Sequence, residues 1–446
     1  MNRTVDAAGQ RVHKPAMTDP TREAAFDLLT AVLERHRSLD DALAGLHAMP
    51  PRGRAAHPIS ARDRAAGHRL AAAVLRRAPS LDLVLEPLLH RAPPPPVRTL
   101  LRMGAAQLLL LDTPAHAGVS TIVALARARK LAAFTGLINA VLRRLAEGGP
   151  ALLEGIDAPR ADTPAWLWAS WGANARAIAT AHQLEAPLDL TLAPGAVAPE
   201  GAVLLPTGSV RLPAGTRVTE LPGFAEGGLW VQDAAAALPA RLLGARPGER
   251  IADLCAAPGG KTAQLAAAGA IVTAVERDPT RAARLAENLA RLRLPADIVI
   301  ADATAWTPGE QFDAILLDAP CTATGTIRRH PDIVHLRRPR DVTAMAEQQQ
   351  HLLAAAARIL RPGGRLVFAT CSLQPQEGPD QVTQARLSAL GLGLDPITPA
   401  ELPGLGEAIP GLGEAIIDGT LRTHPGKWPE RGGLDGFFAA RLIRAG

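Results

Sequence analysis

Cysteine occurs three times in this 446-residue chain, each time inside a short, well-defined segment. Cys255 lies in Asp253-Leu254-Cys255-Ala256-Ala257-Pro258-Gly259-Gly260-Lys261, Cys321 in Leu317-Asp318-Ala319-Pro320-Cys321, and Cys371 in Phe368-Ala369-Thr370-Cys371-Ser372. Each segment opens with apolar, strand-like residues and closes with turn formers. Open α/β sheets place their chemistry at such strand ends. A lone cysteine is most often a small buried hydrophobe. Two that directly follow strands, flanked by Pro or Ser, point instead to a thiolate nucleophile with a partner.

The carboxylates follow the same pattern. Glu276 ends the strand after the Gly259-Gly260 turn, where an acidic residue can accept hydrogen bonds from both hydroxyls of a ribose. Asp302 follows the next strand and is placed for an adenine amino group. Asp318 ends the one after. Glycines at 259 and 260 let backbone approach a ligand ahead of a helix N-terminus. The chain has neither GxGxxG nor GxxxxGK[ST], which disfavours a dinucleotide and a P-loop nucleotide. A nucleoside with an amino-acid tail, S-adenosylmethionine, fits what remains.

Two thiols beside a methyl donor suggest a demanding acceptor. C5 of cytosine is a poor nucleophile until a thiolate adds to C6 and makes C5 enamine-like. Cys371 and Cys321 are the candidate thiols, and Asp318 is the candidate contact for cytosine N3 and the amino group.

The elements that must position these groups are legible in outline. Residues 1–17 read as a disordered lead. From 18 to 148, helical spacing prevails, with Phe26, Leu29, Val32 and Leu33 in one stripe and Leu70, Val74 and Leu75 in another. The run Pro93-Pro94-Pro95-Pro96 separates helices, and further helices are expected at Val119–Lys130 and Phe134–Leu145. Residues 160–228 read as a small α+β subdomain, followed by a helix over Trp230–Leu243. Within 229–446, strands at Ile251–Leu254, Ile271–Val275, Ile298–Ile300, Ala314–Leu317 and Arg365–Ala369 alternate with helices. The longest helix, Val342–Leu360, is expected to close at Pro362-Gly363-Gly364. Near-continuous apolar strands predict a doubly wound parallel sheet of Rossmann-like type. The last strand, Gly436–Ile443, follows a loop rather than a crossover helix and so suits antiparallel pairing.

Composition adds a partner. Residues 1–150 carry 21 Lys+Arg against 12 Asp+Glu, whereas the remainder carries 27 against 31. A basic helical third on a near-neutral body suits a polyanion, although Arg outnumbers Lys 44 to 4 and part of the excess is compositional. Arg62, Arg64, Arg69, Arg76 and Arg77 would supply salt-dependent affinity. Arg328, Arg329 and His330, just after Cys321, form a candidate phosphate-binding loop. No apolar run approaches the ~20 residues of a membrane span, and no apolar leader precedes the helices. Three cysteines without a CxxC pair disfavour disulfides and zinc. The expectation is a monomer in the cytoplasm with no metal.

These segments also carry a resemblance. Asp318-Ala319-Pro320-Cys321-Thr322-Ala323-Thr324-Gly325, Arg328-Arg329-His330-Pro331-Asp332 and Ala369-Thr370-Cys371-Ser372 resemble the Sun family of RNA cytosine-C5 methyltransferases. Asp253–Lys261 is similar to that family's first motif, and Asp435-Gly436-Phe437-Phe438-Ala439-Ala440 to its C-terminal strand. Leu101-Arg102-Met103-Gly104-Ala105-Ala106-Gln107-Leu108 and Leu137-Ile138-Asn139-Ala140-Val141-Leu142-Arg143-Arg144 resemble a NusB-like RNA-binding domain. The pairing implies methylation of a cytosine in 16S, small-subunit, ribosomal RNA. It implies Cys371 as nucleophile and Cys321 as the thiol that expels it. It also implies a cofactor site made by Cys255, Ala256, Ala257, Pro258, Gly259, Gly260, Lys261, Glu276, Asp302 and Asp318. The chain departs from the family with Glu276 in place of Asp, with Leu190-Thr191-Leu192-Ala193 where Arg-x-Asn is usual, with Val119-Ser120-Thr121 where Val-Asn-Glu is usual, and in having no tyrosine.

Two other readings compete. A cysteine hydrolase using His330, His335 or His351 leaves Glu276, Asp302 and one thiol idle. A non-catalytic RNA-binding factor leaves the intact Cys371, Cys321 and Asp318 unexplained.

Overall fold

The computed structural model describes residues 19–48, 59–401 and 415–446, so the lead at 1–17 lies outside the described residues. The chain forms two compact units. One runs to Thr163 and includes His330–Leu336; the other comprises Pro164–Arg329 and Arg337–Gly446.

The first unit is helical. Its elements are α1 (Pro20–Leu33), α2 (Leu39–Ala48), α3 (Ala61–Leu85), α4 (Pro95–Leu109), α5 (Ala115–Ala128) and α6 (Thr135–Gly148). Local chemistry sets their starts. The Asp19 side chain caps α1 by accepting from the Thr21 and Arg22 N–H groups, and Ser60 caps α3 by accepting from Asp63 N–H. The expected proline run opens α4, since proline's fixed φ suits the first helical turn. Leu29, Leu75, Leu100, Met103, Ile122 and Leu142 fill one shared core. Gly104 lies against Leu142, so α4 and α6 approach closely where a larger residue would collide. Within this same unit, Asp332 accepts from Leu39 N–H at 3.0 Å, and His335 Nε2 lies 2.8 Å from the Leu75 carbonyl oxygen.

The second unit begins with helices Ala165–Trp171 and Ala175–His182. A small antiparallel sheet follows, made of β1 (Leu188–Leu192), β2 (Val203–Leu204), β3 (Val210–Leu212) and β4 (Leu229–Val231), in the order β2-β3-β1-β4. The start of the helix expected at Trp230 is corrected here. Leu229–Val231 pairs with Leu190–Leu192 of β1, and the Trp230 indole donates to Gln232 at 3.0 Å. The helix covers only Leu238–Leu243, with Pro239 in its first turn.

The main sheet contains β5 (Arg250–Leu254), β6 (Ile271–Glu276), β7 (Asp297–Ile300), β8 (Phe312–Asp318), β9 (Leu360–Thr370), β10 (Leu392–Leu394), β11 (Ile416–Ile417), β12 (Thr420–Arg422) and β13 (Phe438–Arg444). β7-β6-β5-β8-β9 are parallel; β13 joins β9 antiparallel, followed by β12 and β11, while β10 pairs with β13. The sheet is therefore mixed, with the final strand antiparallel as its connection suits. Helices Gly260–Ala267, Pro279–Leu292 and Pro339–Ile359 follow β5, β6 and β8. Both faces of the central strands are covered. Ala314, Leu316 and Val367 belong to one core, and Ile315, Leu317 and Phe368 to the other. Pro362-Gly363-Gly364 is not a terminating loop. The long helix ends at Ile359, and the three residues form an irregularity inside β9, between Leu360 paired with Phe312 and Arg365 paired with Ala314.

A close crossing binds the strand-end loops together. Gly325 N–H donates to the Cys371 carbonyl at 2.9 Å, and Gly436 N–H to the Gly325 carbonyl at 2.8 Å. A Cβ on Gly325 would collide with the Gly436 backbone. Gly325→Ala is expected to cost about 1–3 kcal/mol, read as a lower denaturant midpoint.

Candidate active site

The parallel pairing of β8 with β9 sets Asp318 opposite Ala369, and Ala319 N–H donates to the Ala369 carbonyl at 2.9 Å. Both chains then turn away from the sheet, so Cys321 and Cys371 meet with their Sγ atoms 3.4 Å apart. Cys321 is pushed well up, first by its hydrogen bond to Cys371, then by burial and by the Cys371 and Glu377 charges. Either sulfur can donate to the other.

Lys261, in the first turn of helix Gly260–Ala267, extends to the same strand ends. Its Nζ lies 2.7 Å from Asp318 Oδ2 and 5.2 Å from the centre of the Phe437 ring. Burial works against its charge, but Asp318 outweighs this and holds the pKa up, with a further contribution from the Cys371 charge. Lys261 is thus an ammonium paired with the Asp318 carboxylate.

The loop Cys255–Lys261 wraps the end of β5. Cys255 has φ 65°, the Ala257-Pro258 bond is cis, and Gly259 has φ 102°. A side chain at Gly259 would also meet Leu285, so two constraints require glycine there. Burial, followed by the Asp318, Glu276 and Asp253 charges, pushes the Cys255 thiol up to about 12. Its sulfur is held protonated and is no nucleophile.

Glu276 ends β6 at 3% exposure. It accepts from Ala257 N–H at 3.4 Å and Asp278 N–H at 3.0 Å, with Arg281 at 3.4 Å. Asp302, two residues beyond β7, is exposed and accepts from the Thr304 N–H and hydroxyl at 2.9 and 2.7 Å. Asp253 ends 1% exposed. One of its oxygens accepts from the Thr262 hydroxyl at 2.6 Å; the other, Oδ1, is buried without a partner. Burial raises the Asp253 carboxyl to about 7, opposed by Thr262 and reinforced by Asp318.

The expected phosphate-binding loop is corrected in part. Arg328 is 2% exposed. It donates to Asp435 at 2.5 Å, Asp233 at 2.6 Å and the Gly432 carbonyl at 2.7 Å. Arg329 donates to Asp435 at 3.0 Å, Asp233 at 2.6 Å and the Pro187 carbonyl at 2.9 Å. Asp189, within 3.7 Å of Arg329, is held bidentately by Arg211 at 2.6 and 2.7 Å. Burial disfavours the Asp233 charge, yet Arg329 and Arg328 keep its carboxyl below the usual range. These arginines are committed to a buried network of alternating charge. In the helical unit, His330 Nδ1 lies 3.4 Å from Asp40, and Arg77 is paired with Asp162 at 3.0 Å; Arg62 and Arg69 are exposed. His351, weighed as a hydrolase base, is exposed on the long helix.

The sequence reasoning missed Glu377. Fully buried, it accepts from Thr322 N–H at 2.8 Å, from the Thr322 hydroxyl, and from the Ser372 hydroxyl at 2.5 Å. The available signal was an acidic residue in the Pro- and Gln-rich turn after Cys371.

The profile of the family described as 16S rRNA methyltransferase RsmB/F matches residues 240–443, and that of the NusB family matches residues 19–147. The ribosomal RNA small subunit methyltransferase B of Sodalis glossinidius is 40% identical over 391 residues, covering 81% of this chain and 88% of that protein. The same-named protein of Vibrio cholerae is 39% identical over 429 residues, covering 89% and 96%. The chain belongs to this methyltransferase family. The crystal structure of PH0851 superposes with TM-score 0.71 at 21% identity over 96% of this chain and 99% of that one, a likeness of fold. A methyltransferase homologue from Pyrococcus horikoshii superposes with TM-score 0.50 at 26% identity, covering 65% and 96%.

The family's methyl donor is S-adenosylmethionine, and the residues at the strand ends fit it. Gly259 leaves backbone open beside β5, the unpartnered Asp253 Oδ1 is a buried acceptor, and Glu276 ends the second strand.

Two predictions follow from these charges. Arg328→Ala should lower stability by about 3–5 kcal/mol in chemical denaturation, because it leaves buried carboxylates uncompensated. Asp253, with a folded pKa of about 7, holds a proton that the unfolded chain has released above its ordinary value. Stability therefore falls as pH rises through that window, by up to about 1.4 kcal/mol per unit. Asp253→Asn has no charge to bury, so its stability relative to the parent should grow from pH 4 to pH 7 and then level off.

Proposed function

We infer that this methyltransferase acts on C5 of a cytosine in small-subunit ribosomal RNA through a covalent cysteine adduct. The observation that carries the reading is the pair of thiols 3.4 Å apart at adjacent strand ends, beside the Lys261–Asp318 ion pair at 2.7 Å. One thiol to add and one to help the adduct depart is more than a simple methyl transfer needs.

Cys371 is the nucleophile. It shares its proton with Cys321, and the Lys261 ammonium supplies a counter-charge for its thiolate. Attack on C6 forms the S–C6 bond and moves the electron pair toward N3, and the Asp318 carboxylate accepts from the cytosine amino group. C5 becomes the nucleophilic carbon. Asp253, the loop Cys255–Lys261, Glu276, Asp302 and Asp318 hold the S-adenosylmethionine, which supplies an electrophilic methyl. Cys321 serves departure: with C5 methylated, the C5 proton passes to water by way of Cys321, the C5=C6 bond re-forms, and the S–C6 bond breaks to return Cys371 as thiolate. A target base must leave its stack to expose C5 and C6, and the relatives' names point to small-subunit ribosomal RNA. The basic helical unit supplies the attraction to a polyanion, and such a substrate places the reaction in the cytoplasm.

Transfer of labelled methyl to small-subunit RNA lacking the modification, with 5-methylcytosine mapped in the product, tests the activity. Cys371→Ala should reduce transfer by more than about a thousandfold; retained transfer would remove Cys371 from its role. Cys321→Ala should accumulate a protein–RNA adduct that survives denaturant and disappears when Cys371→Ala is added. An adduct persisting in the double variant would show that a different nucleophile forms it.

A further inference from the structure

The chemistry above leaves one fully buried carboxylate unused. Glu377 is 0% exposed, and its side chain receives three donors from two loops. Thr322 N–H reaches Oε1 at 2.8 Å, while the Thr322 and Ser372 hydroxyls both reach Oε2, the latter at 2.5 Å. Thr322 directly follows Cys321, and Ser372 directly follows Cys371. The Glu377 carbonyl also accepts from the Thr370 hydroxyl at 2.9 Å. Around this centre, Ser372 Oγ accepts from Gln374 N–H at 3.1 Å, and Thr324 Oγ1, which accepts from Leu373 N–H at 3.0 Å, lies 3.2 Å from Ser372 Oγ.

The β8–β9 ladder does not need this clasp, because the last bond of the ladder joins Ala319 to Ala369. Beyond that point the two segments are held by loop-to-loop bonds, the Gly325 N–H to the Cys371 carbonyl among them, and both sulfurs lie on these loops. A buried carboxylate costs several kcal/mol unless its donors compensate. Apolar side chains could have closed these loops more cheaply, but without directionality.

We propose that Glu377 is the positioning residue of the thiol pair, clasping Thr322 and Ser372 so that Cys321 and Cys371 face a single base. The inference rests on the covalent reading given above.

The geometry selects the variant. In Glu377→Gln the shape is kept, but one carbonyl oxygen and one NH2 replace two acceptors. The amide can accept from Thr322 N–H or from the two hydroxyls, not from both. The expected result is a fall in kcat of about 100-fold, the effect of a displacement near 1 Å, with KM for RNA and the affinity for S-adenosylmethionine within about threefold of the parent. In the Cys321→Ala background, the denaturant-stable adduct should form more slowly by a similar factor. Ser372→Ala removes one strap and should lower kcat about 10-fold, and the double variant should be little worse than Glu377→Gln alone, since both act through one network.

An unchanged kcat in Glu377→Gln overturns the proposal, as does a double variant whose losses simply multiply. Should Glu377→Gln fail to bind S-adenosylmethionine in calorimetry, Thr322→Val and Ser372→Ala decide, and parental kcat in both overturns it. Failure of the covalent reading looks different: the parent protein transfers no methyl, and Cys321→Ala forms no adduct.

Discussion

Parallel pairing of β8 with β9 is the constraint on which the site depends. It sets Asp318 opposite Ala369, and period-2 alternation then directs Ile315, Leu317 and Phe368 to one core and Leu316 and Val367 to the other. A slip of one residue would reverse both faces at once. The same register carries the two strands out of the sheet side by side, so Cys321 and Cys371, 50 positions apart in sequence, close to a sulfur separation of 3.4 Å. The sheet thus brings the two loops together, and bonds between the loops set the final approach of the sulfurs.

Charge organises what the sheet cannot reach. Arg328, Arg329 and Arg211 alternate with Asp189, Asp233 and Asp435 in a buried network. Equal numbers of each sign, with carbonyls of Pro187, Gly432 and Arg431 taking the remaining donors, limit the desolvation cost. Its members come from β1, β3, the turn after β4, the loop after Cys321 and the lead into β13. The network therefore joins the small sheet to the catalytic loops within one unit. At the thiols, Lys261 pairs with Asp318, and Glu377 lies between Thr322 and Ser372.

Much of this was legible. The strand-end motifs around Cys255, Cys321 and Cys371 announce their loops because turn formers follow apolar runs, and Glu276 and Asp318 close strands as read. The helical third showed its period through Leu70, Val74 and Leu75. Misreadings arose where pairing overrides local pattern. Leu229–Val231 looks continuous with a helix until β1 is beside it, and Pro362-Gly363-Gly364 looks like a terminator although the ladder with β8 resumes around it. Arg328 and Arg329 read as a phosphate-binding loop because their carboxylate partners are roughly 100 residues or more away in sequence.

By itself, the sequence determined the chemical inventory and its placement at strand ends: thiols, carboxylates, a glycine turn and a lysine, each encoded within a few residues. Only the tertiary structure decided which groups meet. It brought the two sulfurs together, turned a basic loop into an internal scaffold and buried Glu377 between the turns that carry the thiols. Those outcomes depend on register and on the burial of charge, both of which are properties of contacts distant in sequence.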